Sequence, residues 1–325
     1  TRWHVGRLIS EAVTTTRWPQ AGPVQVNVPL REPLYSDQPF SYSKDLKFIE
    51  LAKPDINLTA VQWQTLVAQW QQAERPMIVA GLDHPDSALK QQLADFQRCF
   101  GGVLLADITS NLHDAAGIQH FDMITSSADD ELKVSLAPDL LVTIGGPVVS
   151  KSLKLMLRKY RPKRHWQIQF GNDFIDTYQS LTDVLAVDAN YFFAEFSRQL
   201  SAQASDGCSA ARQYREQWLG CQQTAESIAT TFVEQYPESE LAAMQQLLTA
   251  QPEKSLLQLG NSSVVRWANY LGLKEGQNIA VNSNRGTSGI EGTVSTALGA
   301  ALTTDKITTL VTGDLAFFYD RNALW

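Results

Sequence analysis

The sequence has few cysteines, and none of them is spaced for a metal or a disulfide framework. Cys99, Cys208 and Cys221 are the three cysteines among 325 residues, and no Cys-x-x-Cys motif occurs. An odd, scattered set of this kind argues against a disulfide scaffold and against a zinc site, and it is typical of a reducing compartment. The five histidines also lack metal-ligand spacing. These absences favour a cytoplasmic protein.

Long apolar runs and an excess of positive charge are also missing. No run approaches the roughly 20 residues that span a bilayer, and no secretory signal sequence is visible. The formal net charge is −7, whereas a nucleic-acid-binding protein usually shows a basic stripe. The Lys and Arg cluster over 151–164 is interpreted as the solvated face of a helix. We therefore expect no stable membrane insertion and no nucleic-acid partner.

What the chain does contain is an alternation of short apolar strands and amphipathic helices. Hydrophobic residues make up 44% of the sequence, enough for sizeable cores. The predicted strands lie at 77–81, 103–106, 139–145, 165–170, 255–259, 278–281 and 306–312. The predicted helices between them include 61–72, 86–100, 150–160, 263–271 and 289–301. This alternation predicts an α/β fold with Rossmann-like parallel sheets covered on both faces.

The predicted elements divide the chain into four segments. Residues 1–40 are too short to fold alone and contain a predicted strand at 24–29, so we expect the tail of a preceding domain. A central α/β domain, a helical connector and the first part of another α/β domain are predicted at 41–205, 206–235 and 236–325. The region 190–250 is predicted to be helical, with Gly207 and Gly220 as its breaks.

The two ends of the chain suggest a longer polypeptide. The sequence begins at Thr1 without a methionine, within a predicted helix, and it stops at Trp325 within another. We expect an internal fragment that is inactive by itself.

The strongest local motif is an apolar strand that runs into Gly313-Asp314. A glycine lets the backbone approach an oxygen closely, and a carboxylate such as Asp314 is a hard ligand for Mg²⁺. The helix predicted to follow would point its N–H groups at an anion. The motif therefore favours a metal-bound diphosphate, although a capping aspartate after a buried strand would look the same.

Two further polar loops follow predicted strands of the same unit. Arg285 lies in a glycine-rich loop, and its planar fork suits a carboxylate. Ser262 begins a predicted helix and is also a good N-cap residue. Arg266 lies in the first turn of that helix, where a cation opposes the helix dipole. Ligands of open α/β sheets bind at the carboxyl ends of strands, so these loops are candidates for one site.

Four ordered stretches of the chain resemble the MenD family of thiamine-diphosphate enzymes. In this sequence they read GPVQVNVPLREPLY, NSSVVR, SNRGTSGIEG and GDLAFFYDRNAL, at residues 22–35, 261–266, 283–292 and 313–324. Leu315 stands where thiamine-diphosphate enzymes in general have a second glycine after Gly-Asp. MenD members share this departure, so the resemblance is specific to that family.

The resemblance implies a synthase that adds the succinyl-semialdehyde unit of 2-oxoglutarate to isochorismate, with loss of CO₂, in menaquinone biosynthesis. The implied cofactors are thiamine diphosphate and Mg²⁺ or Mn²⁺. The implied domains are the end of a pyrimidine-binding domain, a central domain, and half of a diphosphate-binding domain. In this family the active site forms between subunits of a dimer or tetramer. The glutamate that activates the cofactor would lie outside this sequence.

The resemblance also assigns site residues. Cofactor binding is implied for one loop and one strand end, namely Ser288, Gly289 and Ile290, and Gly313, Asp314, Leu315 and Ala316. Asp314 is the implied metal ligand. Substrate carboxylates are implied to contact Arg75, Ser262, Arg266 and Arg285.

Two alternatives stay open at the level of the sequence. Another thiamine-diphosphate enzyme that acts on 2-oxoacids would fit the fold, but it would be expected to have the full Gly-Asp-Gly motif and to lack the pair Arg266 and Arg285. A non-catalytic assembly or regulatory module would also fit the fold, because fold alone does not determine function. Such a module would leave the three polar loops without a purpose.

Overall fold

The chain divides into a small unit and a large one. The computed structural model describes residues 2–19, 22–29, 48–53, 56–113, 115, 117–171, 174–203, 209–274, 276–285 and 289–325. The small unit comprises Thr1–Asn57 with Phe170–Asp173, and the large unit comprises Leu58–Gln169 with Phe174–Trp325. Within the described ranges, no helix is both long and apolar enough to cross a membrane.

The described part of the small unit contains one helix, α1 (Arg2–Thr15). The backbone N–H of Ile49 donates a hydrogen bond of 3.3 Å to the buried hydroxyl of Ser10 on that helix. The strand predicted at 24–29 is wrong, because residues 22–29 form no regular element. A strand needs a neighbouring strand to satisfy its backbone groups, and no described residue pairs with this segment.

A five-stranded parallel sheet lies at the centre of the large unit, and it confirms the predicted α/β class. Its spatial order is β2-β1-β3-β4-β5. The strands are β1 (Pro76–Ala80), β2 (Val103–Ala106), β3 (Leu140–Ile144), β4 (Arg164–Ile168) and β5 (Asp183–Leu185). The helices are α2 (Ala60–Gln72), α3 (Ser87–Phe100), α4 (Phe121–Ser127), α5 (Asp130–Leu136), α6 (Lys151–Lys159), α7 (Ala189–Ala202) and α8 (Ser209–Gln235).

Apolar side chains cover both faces of this sheet, as parallel strands require. On one face an aromatic cluster from α2, α3 and α7 includes Trp63, Phe96 and Phe196. On the other face α8 contributes Trp218, which is fully buried. The predicted helix break at Gly220 is therefore wrong. One helical glycine costs about 1 kcal/mol relative to alanine, less than the burial of a large side chain such as Trp218 contributes.

A second, three-stranded parallel sheet has the order β7-β6-β8. Its strands are β6 (Leu256–Leu259), β7 (Ala280–Ser283) and β8 (Thr308–Val311). Its helices are α9 (Glu240–Ala250), α10 (Ser263–Leu271), α11 (Thr293–Ala301) and α12 (Asp314–Tyr319). Two predicted boundaries are wrong for backbone reasons. Asn278 has φ of 51°, so β7 begins two residues late, and Gly292 has φ of 77°, so α11 begins at Thr293.

One buried imidazole makes the stability of the large unit depend on pH. His165 on β4 is 1% exposed, and its ring nitrogens lie 3.0 Å from the Thr143 hydroxyl and 3.2 Å from the Ser180 hydroxyl. Burial lowers the pKa of His165 to about 4, below the ordinary value of 6.5. Between these two values the unfolded chain binds the proton more readily than the folded one.

We predict that stability is full above about pH 6.5 and falls as the pH drops toward about 4. In His165→Gln this fall is reduced by up to about 3 kcal/mol, because the titrating group is gone. Urea unfolding at a series of pH values measures the effect. The exposed His4→Gln is the matched control and keeps the wild-type profile. Parallel profiles for wild type and His165→Gln would contradict the prediction.

Candidate functional site

A cleft of about 660 Å³ opens at the carboxyl ends of β6 and β8. The strands of the sheet are parallel, so the loops that follow them meet at one edge. The helix α9 closes the cleft from the side with Glu240 and Leu247. The loops contribute Asn261, Ser262, Ser263, Val264, Ile290, Val311, Thr312, Gly313, Asp314, Leu315 and Ala316. The structure therefore brings the three polar loops found in the sequence to one place.

Every residue of the Gly-Asp turn after β8, from Thr312 to Ala316, lines this cleft. Gly313 precedes α12, and a side chain added there would meet no atom within 4 Å. The carboxylate of Asp314 is exposed and accepts a 2.7 Å hydrogen bond from the N–H of Leu315. Ala316 is buried beneath the turn. The turn thus presents open backbone and one exposed carboxylate to the cleft.

Thr312, which the sequence analysis did not single out, adds a polar group to the same turn. Its hydroxyl oxygen is buried and has no hydrogen-bond partner in the part of the chain that the structure describes. A buried hydroxyl without a partner costs free energy, so its position at the cleft suits a ligand that supplies one. Nothing in the sequence distinguished it from any other threonine at the end of a strand.

Ser262 holds an unusual backbone conformation at the mouth of the cleft. Its φ and ψ are 77° and −131°, and its side chain makes no capping hydrogen bond to α10. The interpretation of Ser262 as a side-chain cap is therefore wrong. A non-glycine residue in so sparse a region costs of order 1–3 kcal/mol, and such residues cluster at functional sites. The strain leads us to the hypothesis that the hydroxyl of Ser262 is placed for a ligand.

Arg285 ties the loop after β7 to the loop after β6. Its Nη1 donates a 2.6 Å hydrogen bond to the side-chain oxygen of Asn261, which lines the cleft. Its backbone N–H donates to the carbonyl of Ser283. Arg285 also attracts the buried carboxyl of Asp107, which partly offsets the rise in pKa that burial of Asp107 causes. A guanidinium is thus fixed beside the cleft.

The other predicted site residues lie in different places. Ile290 lines the cleft next to Gly289, and Ser288 lies outside the described residues. Arg266 lines a second cavity on another face of α10. Arg75 lies at the amino end of β1, where its guanidinium donates a 2.9 Å hydrogen bond to the carbonyl of Val134. The structure does not bring Arg75 to the carboxyl edges that hold the other candidates.

Two asparagine side chains join the two sheets beneath the site. Asn111 accepts a 2.7 Å hydrogen bond from the N–H of Val281, and its amide donates at 3.0 Å to the carbonyl of the same residue. Asn269 on α10 accepts a 2.9 Å hydrogen bond from the N–H of Ile108. All four residues are buried. These bonds hold β7, and hence the loop with Arg285, against the five-stranded sheet.

The arrangement suits an anionic ligand that brings a divalent cation with it. Among the described residues, no group of three or more His, Cys, Asp or Glu side chains could hold a metal. A cation at Asp314 would need its other ligands from phosphate oxygens and water, which is how Mg²⁺ is usually bound. The cleft has the volume of a small-molecule site.

Comparison with known proteins places the chain in a family. Residues 43–259 match the family described as "Middle domain of thiamine pyrophosphate". Proteins named 2-succinyl-5-enolpyruvyl-6-hydroxy-3-cyclohexene-1-carboxylate synthase match nearly the whole chain. The protein from Flavobacterium psychrophilum is 36% identical over 94% of this chain and 53% of its own length. The protein from Desulfotalea psychrophila is 33% identical over 98% and 56%, and that from Porphyromonas gingivalis is 34% identical over 99% and 56%.

These matches confirm the resemblance that the four motifs indicated, because MenD is the family of synthases with that name. The chain spans just over half the length of these curated relatives.

The two hydrogen bonds between the Asn111 side chain and the backbone of Val281 generate a prediction about stability. We expect Asn111→Gly to lower the free energy of unfolding by about 2–4 kcal/mol, because two buried backbone groups of Val281 lose their partners. Glycine accepts the left-handed backbone that Asn111 adopts, so the loss reports the side chain. The exposed Asn57→Gly is the control. Urea unfolding measures the change, and amide exchange at Val281 checks its origin. Unchanged protection of that amide would contradict the stabilising role of the Asn111 side chain.

Proposed function

This chain belongs to the thiamine pyrophosphate enzymes, the family whose middle domain matches residues 43–259, and we propose that it is part of a thiamine-diphosphate-dependent synthase. The proposed reaction adds the succinyl-semialdehyde unit of 2-oxoglutarate to isochorismate and releases CO₂, as a step of menaquinone biosynthesis. The observation that carries the proposal is the cleft, where Ser262, Ile290 and Gly313-Asp314 lie together. The names of the relatives support the choice of substrates.

The chemistry of the cleft supports thiamine diphosphate as its ligand. The unpartnered Thr312 hydroxyl can donate to a phosphate oxygen. The open face of Gly313 leaves room for the diphosphate to approach the backbone. Ile290 supplies an apolar contact for the ring system. The proposal assigns cofactor binding to these residues together with Ser288, Gly289, Leu315 and Ala316.

The proposal assigns a divalent cation, Mg²⁺ or Mn²⁺, to Asp314. The exposed carboxylate of Asp314 would hold the cation, and the phosphates of the cofactor would supply further oxygen ligands. The N–H of Leu315 already holds Oδ1 of that carboxylate, which restricts its direction. Asp314 therefore needs no rearrangement of the turn to serve as a ligand.

The protein's own part in the reaction is to bind the anionic substrates and to hold them in position beside the cofactor. When bound, thiamine diphosphate supplies the nucleophilic carbon and the electron sink for decarboxylation. Both proposed substrates are anions with more than one carboxylate. The proposal assigns the binding of carboxylate oxygens to Ser262, which lines the cleft, and to Arg285, which bonds the cleft residue Asn261. The planar fork of a guanidinium such as that of Arg285 can hold a carboxylate through two parallel hydrogen bonds. Arg266 and Arg75 do not line the cleft, and the proposal includes them as carboxylate-binding residues on the family resemblance alone.

The proposal also includes a homo-oligomer, a dimer or a tetramer, in which another subunit completes the active site. The glutamate that activates the cofactor would come from outside this sequence. Sedimentation analysis of the whole protein measures the oligomeric state.

The cofactor site generates the first functional prediction. We expect Asp314→Asn to weaken Mg²⁺-dependent binding of thiamine diphosphate by about 10-fold or more, because a charged metal ligand is lost. Trp267 lines the cleft, so quenching of tryptophan fluorescence reports binding. Asp305→Asn removes an exposed carboxylate in the connection between α11 and β8 and serves as the control. Equal affinities for the two variants would contradict the role of Asp314.

The reaction itself is tested on the whole protein by following isochorismate in the presence of Mg²⁺. We expect consumption only when thiamine diphosphate and 2-oxoglutarate are both present. Arg285→Ala should lower kcat/KM by about 100-fold, because a fixed carboxylate partner is lost, whereas the exposed Arg212→Ala should have wild-type activity. A folded, cofactor-bound protein that leaves isochorismate unchanged would contradict the proposed synthase reaction and favour another 2-oxoacid substrate.

A further inference from the structure

A third cavity, of about 400 Å³, lies among α8, α9 and the end of α10. Gln222, Glu226 and Ala229 line it from α8, and Gln245 and Leu248 line it from α9. Side chains three or four positions apart share a helix face, so each of these helices presents one face to the cavity. The turn after α10 and the residues that precede α4 close the remaining sides. This lining shares no residue with the cleft or with the second cavity.

Hydrogen bonds hold the walls of the third cavity together. The N–H of Gln119 donates at 2.7 Å to Oε1 of Gln222 on α8. The N–H of Leu273, in the turn after α10, donates at 2.8 Å to Oε1 of Gln119. Gly272 has φ of 66°, and a Cβ there would lie 2.5 Å from that oxygen, so this close approach requires glycine. The protein therefore builds the cavity without help from a ligand.

His120 presents one ring nitrogen to the third cavity. Its side chain lines the cavity and is buried, at 9% exposed, and its Nδ1 lies 2.6 Å from the carbonyl oxygen of Tyr270. A carbonyl can only accept, so Nδ1 carries a proton and Nε2 of the neutral ring is an acceptor. No described residue donates a hydrogen bond to Nε2. A buried acceptor without a partner is costly, so the position suits a ligand that donates a hydrogen bond.

Two side chains of opposite charge line the third cavity as well. Glu226 on α8 and Lys274 in the turn after α10 form no ion pair in the part of the chain that the structure describes. The side-chain nitrogen of Gln222 also has no acceptor there, because only its Oε1 is bonded. The lining thus offers two acceptors, Glu226 and His120, and two donors, Lys274 and Gln222. A balanced set of this kind favours a ligand with one positive and one negative group over an ion of either sign.

The remaining part of the lining is apolar. Ala229, Leu248 and Leu273 are buried side chains from three different elements. Apolar surface inside a cavity favours an alkyl group, because the contact removes both surfaces from water. The ligand that matches the whole lining therefore has a cationic donor, an anionic acceptor and an apolar part.

We propose that the third cavity binds a free α-amino acid with an apolar side chain. The ammonium group of the amino acid donates to Nε2 of His120 and to the carboxylate of Glu226. Its carboxylate accepts from Lys274 and from the side-chain nitrogen of Gln222. Its alkyl group packs on the apolar lining. This site goes beyond the proposed synthase reaction and does not depend on it.

The test is calorimetric titration of the whole protein at low ionic strength with three probes of similar shape. L-leucine carries both charged groups, isocaproate lacks the ammonium group, and isopentylamine lacks the carboxylate. We expect leucine to bind at least about 10-fold more tightly than either of the others, because each of them leaves one charged side chain of the cavity without a partner. Isocaproate or isopentylamine that binds as tightly as leucine would overturn the inference.

Variants at the two charged positions assign each end of the ligand. Glu226→Gln should weaken leucine and isopentylamine by about 10-fold and leave isocaproate unchanged. Lys274→Gln should weaken leucine and isocaproate by about 10-fold and leave isopentylamine unchanged. Both positions are exposed, so we expect both variants to fold. Glu234→Gln removes an exposed carboxylate of α8 outside the cavity and should bind all three probes as the wild type does.

His120→Phe removes the buried acceptor and should also weaken leucine by about 10-fold. If this variant does not fold, the two exposed charge variants decide the question. Thermal melting and binding of thiamine diphosphate are measured on every variant and should match the wild type. A wild-type protein that does not bind leucine would overturn the inference, as would equal leucine affinity in the wild type and both charge variants. A protein that binds leucine here but no thiamine diphosphate would overturn the proposed function and leave this inference intact.

Discussion

The carboxamide of Asn111 is the constraint on which the geometry of the candidate site depends. Strand β7 lies at the edge of its sheet, so one side of its backbone pairs with no strand in the part of the chain that the structure describes. Asn111 fills that side with a donor and an acceptor that match the carbonyl and N–H of Val281. An edge buried without such partners would be costly. The same bonds set the position of Arg285, four residues further on, relative to both sheets.

Helix α10 is the second element that several features share. It carries Asn269, whose side chain meets the N–H of Ile108 and so ties the helix to the five-stranded sheet. The backbone of its N-cap residue, Ser262, is strained, and two of its faces line two different cavities. Helix α10 therefore contacts the cleft, the second cavity and the backbone that follows β2.

The charges of the protein are arranged around the two cavities in different ways. The cleft has two exposed carboxylates, Asp314 and Glu240, and the second accepts a hydrogen bond from Trp267. The second cavity is lined by four cationic side chains and two carboxylates, and Asp130 pairs with Lys159. Arg285 lies between the two sheets, held by Asn261 and attracted by the buried Asp107. The lining of the cleft is thus net acidic, whereas that of the second cavity is net basic.

Local pattern was enough to predict the α/β class, most of the strands and the three polar loops. Apolar runs and helical spacing are properties of neighbouring residues, so they can be read before any contact is known. The motif resemblance then pointed to the family, and the comparisons confirmed it. The same reasoning placed the start of β7 two residues too early. It predicted a break of α8 at Gly220, where the packing of the helix outweighs the cost of one glycine. It also predicted a strand at 24–29, although a strand needs a pairing partner.

What only the tertiary structure decided was which side chains meet. In the sequence Arg75 and Arg285 are both candidates for carboxylate binding. In the structure Arg75 lies at the amino end of β1, whereas Arg285 lies after the carboxyl end of β7. The roles of Asn111 and of the Thr312 hydroxyl had no signature in the sequence, because each depends on a partner, or the lack of one, far along the chain. Sequence determines the elements through local periodicity, whereas the site depends on strand order and register, which bring distant residues to one edge.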